Sequence, residues 1–269
     1  MLSPLKSFGK IIVFVFALIG FVLIVGYFAI KFGLTNTKGI IDDQQNHFIQ
    51  SIQTQPKWNT GEEWETLKTA IIRDESAIKK AGDVTGTLPR LIVAQLVVEQ
   101  LRLYYGDREL FKKIFYPLKL LGNQNQFSWG VMGLKQETAR TIEENLKNTS
   151  SLYYLGESYE HLLDSKTEDV DQERFERITK EDDRYYSYLY TALYIKQVLA
   201  QWEKTGFPIS ERIDIISTLY NIGFNHSKPN PNPQSGGALI EINGVPYSFG
   251  SLAKDFYDSN ELIQDFPRL

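Results

Sequence analysis

The sequence predicts a mainly α protein: a helical domain with a small β-hairpin element, preceded by one N-terminal transmembrane helix. Three observations predict it. Ile11 to Ile30, IIVFVFALIGFVLIVGYFAI, is 20 residues without a charge, which at about 1.5 Å per residue spans about 30 Å, a bilayer core. Most of the rest reads as helices separated by short Gly, Pro and Asn punctuation. Near the end, ALIEI-NG-VPYSF sets alternating apolar runs around Asn243-Gly244, the signature of a hairpin with a type I′ turn.

Taken in order, residues 1–10 form a cytoplasmic tail and 11–33 a transmembrane anchor. Lys6, Lys10 and the free amine precede the apolar run. A cleaved signal peptide would have a shorter apolar region and an A-x-A-like site, and FGLTNTKG offers none. Lys31 and Lys38 on the far side nearly balance Lys6 and Lys10, so charge does not set the orientation. Residues 34–60 are a polar stem punctuated by Pro56, and 61–269 form the domain. A helix starts near Thr60, where Thr60-x-x-Glu63 has capping-box form, and runs to about Lys80. After AGDVTGT, Thr87 caps a helix with Pro89 in its first turn. That helix, LPRLIVAQLVVEQLRLYY, is apolar on most sides and so central and buried. Residues 107–126 are helical with a break at Pro117. Thr138 to about Lys147 is helical. Glu157 to Asp183 holds eleven acids against four bases (Lys166, Arg174, Arg177, Lys180) and reads as a solvated flexible insertion. Tyr185 to Lys204 is an aromatic-rich helix, Ser210 to Tyr220 another with Ser210 as cap. A Pro-Asn loop leads to the hairpin, and a short helix spans about Ser251 to Phe256.

Composition excludes several function classes. The chain has 269 residues, 42% hydrophobic and 23% charged, with net charge −4 and pI near 5.5. An acidic chain is a poor phosphate-backbone binder, so no nucleic acid is expected as partner. There is no cysteine, so disulfides and thiolate chemistry are out. His47, His161 and His226 are scattered without HExxH spacing, so no metal site is expected. No P-loop, GxGxxG or GxSxG occurs, and no cofactor is expected.

Glu99 is the first candidate for chemistry. A carboxylate in the middle of LIVAQLVVEQLRL is costly if it faces the core. Desolvation would keep it protonated near neutral pH, as a general acid needs. The competing reading pairs it with Arg102 at i+3 on the helix surface, which would push the other way. A second oddity is FSWGVMGLKQETA, Phe127 to Ala139. It places Trp129, Gly130, Met132 and Gly133 directly before a helix start. This is either an ordinary turn or a ligand-lining loop.

Separated pieces, in order, resemble the lysozyme-like superfamily, with lytic transglycosylases and goose-type lysozymes as nearest types. AGDVTGTLPRLIVAQLVVEQLR resembles the apolar helix whose end carries the catalytic Glu, here Glu99. Gly130-Val131-Met132-Gly133 followed by LKQETA resembles the family's G-L-M-Q loop entering a helix through Thr-Ala. Tyr194-Ile195 loosely matches a Tyr-Leu pair. Leu219-Tyr220-Asn221-Ile222-Gly223 resembles A-Y-N-A-G. The likeness spans about residues 80–225, leaving a C-terminal hairpin extension at 226–269. The chain departs from the pattern where Gln100 replaces the Ser after the Glu and Gly133 replaces the loop Gln. A rival alignment sets Gly133-Leu134-Lys135-Gln136 on the loop and keeps the Gln, at the cost of a gap.

The resemblance implies a lysozyme-like α+β fold and cleavage of peptidoglycan glycan strands. Glu99 would be catalytic, and Trp129, Gly130, Met132, Gly133, Tyr220 and Asn221 substrate-binding. Tyr220 would touch Glu99, and Asn221 would give the substrate a polar contact. The other reading of these two residues is helix-end packing and capping before Gly223. The glycines would let backbone approach a sugar, and Trp129 would offer a stacking face. The implied location is the cytoplasmic membrane, single-pass, with the domain extracytoplasmic or periplasmic and a cell-envelope protein complex as partner. A non-catalytic glycan-binding or scaffold module is the alternative.

Overall fold

The computed structural model describes residues 58–106 and 128–268, together with four helical positions at Gly20, Phe21, Ile24 and Val25. The chain divides into two units, Met1–Thr37 with Asp107–Gln126, and Lys38–Gly106 with Phe127–Leu269. The second unit is the one described below. Apart from the four positions, the expected tail, anchor and most of the stem lie outside the described residues, as does the helix expected at 107–126. No helix among the described residues is long and apolar enough to cross a membrane.

The described unit is mainly helical. Its helices are α1 (Glu62–Arg73), α2 (Glu75–Thr85), α3 (Pro89–Tyr105), α4 (Gln136–Lys147), α5 (Val170–Thr179), α6 (Tyr185–Lys204), α7 (Ile213–Ile222) and α8 (Phe249–Asp258). Two antiparallel pairs of strands accompany them. β1 (Ser128–Trp129) pairs with β2 (Leu134–Lys135), and β3 (Leu239–Ile242) with β4 (Val245–Ser248).

α3 is the axis. Pro89 opens it and Leu88 is its N-cap. The expected cap, Thr87, instead donates its hydroxyl to the Ala192 carbonyl at 3.2 Å and so ties the entry of α3 to α6. Every residue from Arg90 to Glu99 is buried, and so is Leu101. Helices α1, α2, α6, α7 and α8 and strand β3 all pack on it. Its apolar side chains contribute roughly 1.5–3 kcal/mol each on burial.

Arg90 and Gln95 are polar residues buried inside this helix, and the fold supplies acceptors for their N–H groups. Arg90 is fully buried. Its Nε donates to Tyr257 O (2.8 Å), Nη1 to Glu261 O (3.0 Å) and Phe266 O (2.9 Å), and Nη2 to Phe256 O (3.0 Å) and Ser259 O (2.7 Å). Gln95 donates to Ser217 Oγ on α7 at 2.8 Å.

The expected single helix from Thr60 to Lys80 is two. It starts at Glu62 with Gly61 as N-cap and no side-chain cap, so the Thr60–Glu63 box is not formed. It breaks at Asp74, whose carboxylate accepts from Arg184 Nη1 (2.9 Å) and Tyr188 Oη (2.7 Å) on α6. The packed domain also includes Trp58, assigned above to the stem. Its ring meets Trp64 edge-on at 4.9 Å. The cap of α7 is Arg212, not Ser210. α8 begins at Phe249, with Ser248 and Ser251 forming a capping box. The hairpin is as expected, with Asn243 and Gly244 both at positive φ (51° and 81°).

The charge-dense segment is folded rather than a flexible insertion. Asp169 caps α5 by accepting from Gln172 N at 3.0 Å. Arg174 is buried and forks onto Glu143 of α4, Nε to Oε1 at 2.7 Å and Nη2 to Oε2 at 2.6 Å. Tyr190 of α6 donates to the same carboxylate. Leu163 and Ile178 enter the core. Its acids find partners both within the segment, as Glu173 does with Ser165, Thr167 and Arg177, and on α4, as Asp171 does with Arg140 and Asp164 with Lys147.

Two predictions follow from these contacts. Arg90→Met strands a set of buried carbonyls and is expected to cost at least about 3 kcal/mol in urea unfolding; a change under about 1 kcal/mol would show that they find other donors. Arg174→Met is expected to cost about 3 kcal/mol, because it leaves Glu143 short of its cation. The same segment carries an acid limit. Glu173 is held down to about 2, first by the Ser165 hydroxyl and then by Thr167 and backbone N–H groups. A carboxylate depressed in the folded state stabilises above its unfolded value, and that stability is lost as pH falls through the folded one. Amide protection around 165–173, taken relative to the intrinsic exchange rate at each pH, should therefore fall between about pH 4 and pH 2.

Candidate active site

Glu99 sits near the C-terminal end of α3 and is 3% exposed. Arg102, one turn on, grips it with two donors. Nε donates to Oε2 at 3.1 Å and Nη2 to Oε1. The i,i+3 spacing that made this pair an alternative in sequence has produced a two-point fork. Such a fork engages both oxygens of the carboxylate at once.

The loop between β1 and β2 closes over the pair. Gly130 and Gly133 both have positive φ, 61° and 63°, which a side chain disfavours. A Cβ on Gly133 would lie 1.8 Å from Glu99 Oε1 and 2.4 Å from its Cδ, so the backbone here rests directly on the carboxylate. A Cβ on Gly130 would lie 2.3 Å from Ile178 O and 2.8 Å from Ser187 Oγ. Both close approaches are thus made to the protein itself rather than to a sugar. Gln100 donates from Nε2 to Val131 O and pins the loop to α3.

Tyr220 completes the cluster from α7. Its hydroxyl donates to Met132 O at 2.8 Å and lies 3.2 Å from Thr191 Oγ1 of α6. Burial pushes this phenol up. The Thr191 hydroxyl works against that, the Glu99 charge adds to it, and the Arg102 charge opposes it. Tyr220 therefore feels the Glu99–Arg102 pair, although it binds the loop carbonyl and not the carboxylate. Its ring meets Tyr194 edge-on at 5.2 Å.

The remaining predicted residues divide. Met132 is fully buried, so its side chain is core and its carbonyl is what the site uses. Asn221 accepts from Ala238 N at 2.8 Å through Oδ1 and thereby holds the end of the Pro-Asn loop. Of Trp129 the structure describes the backbone, paired with Leu134 in the β1–β2 ribbon. The other candidate acids stand apart from Glu99 in their contacts. Glu137 is exposed in the first turn of α4, and Asp182 and Asp183 are exposed before α6. Among the described residues no cluster of His, Cys, Asp and Glu could hold a metal. A cavity of about 380 Å³ lies elsewhere, lined by Tyr154, Tyr159, Lys196, Leu199, Glu203 and Ile209 among others, and no predicted site residue lines it.

Sequence reasoning missed Thr191, whose hydroxyl hides in an aromatic helix, and the anchoring role of Gln100. A chemical signal existed for the second: a long amide beside Glu99, opposite a glycine-rich loop rich in free carbonyls.

The contact of Gly133 with Glu99 is testable against a control. Gly206 also has positive φ (82°) but open space around it. Gly206→Ala should cost about 1–2 kcal/mol from backbone strain alone. Gly133→Ala should cost clearly more, because Glu99 must also move. Equal losses in thermal unfolding would show that the carboxylate yields freely.

No family model, no curated protein and no solved structure matches the chain.

Proposed function

We propose that this chain is a membrane-anchored lytic transglycosylase of lysozyme-like α+β fold, held by residues 11–33 with its domain outside the cytoplasm. It cleaves the β-1,4 bond between N-acetylmuramic acid and N-acetylglucosamine in peptidoglycan, in a cell-envelope complex. The observation that carries the reading is convergence. Glu99, the 130–133 loop and Tyr220 are far apart in sequence, yet the loop backbone rests on the Glu99 carboxylate and Tyr220 bonds the loop's Met132 carbonyl.

Glu99 protonates the glycosidic oxygen and then takes the proton of the same sugar's 6-hydroxyl as that oxygen attacks the anomeric carbon. A hydrolase would need a second carboxylate, roughly 6.5–9.5 Å away for inversion or about 5–5.5 Å for retention. The exposed positions of Glu137, Asp182 and Asp183 favour the sugar's own hydroxyl as nucleophile, held at high effective concentration. Tyr220 steadies the loop over Glu99 through the Met132 carbonyl.

One observation favours a second reading. The Arg102 fork occupies both oxygens of Glu99, which suits a module that grips glycan without cutting it. Digestion of purified sacculi separates the two. The enzyme releases disaccharide-peptides one water lighter than hydrolysis does, and Glu99→Gln lowers that release by about 10² to 10⁴-fold with an unchanged circular dichroism spectrum. Tight binding of strands with no product from the wild type would support the module, and products carrying the full water would point to hydrolysis.

A further inference from the structure

We propose that Arg102 is a specificity-determining residue: a glycan strand bearing a carboxylate draws the Arg102 guanidinium off Glu99, and Glu99 then takes up the proton it delivers. This rests on Glu99 being the acid, and it adds the chemical class of strand that the site accepts.

The argument starts from what surrounds Glu99. On one side is the Gly133 backbone, with no room for a side chain. Tyr220 stands nearby with its proton donated to Met132 O. Among the described residues, the titratable groups facing Glu99 are Arg102 from its own helix and Tyr220 from α7, while the loop backbone at Gly133 lies against it. Arg102 is the single cation of the pair and its outer member, with its side chain 12% exposed against 3% for Glu99. It also lies in the last turn of α3, which ends at an extended Gly106. It is the partner that can leave.

Departure has a chemical consequence. A carboxylate as buried as Glu99, deprived of its cation, favours the neutral form. A solvent proton then adds to a Glu99 oxygen. In the reaction that O–H bond breaks as the glycosidic oxygen gains the proton, and the proton of the 6-hydroxyl returns to Glu99 as the new C–O bond forms. One movement uncovers the acid and charges it. What draws Arg102 away must itself be anionic. A guanidinium exchanges one carboxylate for another with little loss, whereas neutral hydroxyls do not replace a charged two-point contact. Two carboxylates fit this chemistry: the lactyl groups of a strand stripped of peptide, and those of attached peptides.

The test uses the full chain in detergent micelles with ¹³C-labelled glutamate, the Glu99 carboxyl signal being the one lost in Glu99→Gln. Three probes are added near neutral pH: neutral chito-oligosaccharides, peptide-free glycan strands and peptide-bearing strands. Glu99 is expected to stay ionised with the first and to become protonated with one or both of the others, which identifies the carboxylate. In Arg102→Met it should be protonated without ligand. Wild-type preference for cleaving acidic over neutral strands should be roughly 10- to 100-fold, the value of one charged contact, and should fall to near parity in Arg102→Met. A merely structural Arg102 would lower both rates together. If Arg102→Met does not fold, Arg102→Lys, which keeps the charge without the fork, should give an intermediate preference, and an unchanged one overturns the proposal. It is also overturned if Glu99 responds to neutral sugar as it does to acidic strands, if it responds to none, or if it stays ionised in Arg102→Met. Protonation by acidic strands with no product would keep Arg102's role and remove the cleavage reading. Equal, Glu99-dependent cleavage of both classes would do the reverse.

Discussion

Every N–H of the buried Arg90 guanidinium meets a backbone carbonyl, and the rest of the domain is arranged around that fact. Guanidinium stays charged in proteins, so it cannot escape burial by losing a proton. Among the described residues no carboxylate bonds to it, and the Asp258 charge acts on it without contact. Instead the charge sits at the C-terminal end of α8, where the last carbonyls of a helix are unsatisfied and carry partial negative charge. Phe256, Tyr257 and Ser259 belong to that end, and Glu261 and Phe266 to the tail that curls back. The result is a bolt between the first turn of α3 and the end of the chain. It sets where α3 lies, and nine residues on, about 13 Å along the axis, that helix delivers Glu99.

At Glu99 the same problem of a buried charge is solved by a different route. Here the partner is a side chain of opposite sign on the same helix, and the neighbours are chosen to be small or neutral. Gly133 removes a side chain, Gln100 ties the loop by its carbonyl, and Tyr220 answers the next carbonyl. A buried ion pair is weak evidence for stability, since desolvation offsets most of the attraction. It is strong evidence that removing one member disturbs the other. Arg90 is therefore a fixed joint, and Arg102, on the proposed reading, a labile one. Five carbonyls cannot be displaced by a ligand in one step, whereas one carboxylate can.

Much of this was legible in the sequence, and the failures share a cause. The aromatic helix Tyr185–Lys204 and the Asn243-Gly244 turn were read as they stand, because propensity and pattern are local. The break at Asp74 was not, because its reasons, Arg184 and Tyr188, lie more than a hundred residues away. The segment from Glu157 to Asp183 looked unable to fold because its charges were counted against each other. Arg174 in fact answers Glu143, across a loop, on another helix. At the site, the membership of Glu99, Gly130, Gly133 and Tyr220 was legible from motif order. Their roles were not, since whether a glycine faces a ligand or its own protein depends on where α3 places the carboxylate.

The charge balance of the cluster limits how it can work. Among the described residues of the cluster there are one acid, one base and a phenol that burial keeps neutral, so the two charged groups balance when both are charged. Any state in which Glu99 bears a proton while Arg102 stays beside it leaves an unanswered cation there. Any state in which Arg102 leaves while Glu99 stays ionised leaves an unanswered anion. Both are costly in a place with little water. The low-cost changes are those that move two charges together: a proton onto Glu99 and an anion onto Arg102. On the proposed reading, a glycan that supplies the anion would let solvent supply the proton, so that binding and activation would become one event. A neutral glycan would supply neither, and would leave the site a closed ion pair under a glycine loop.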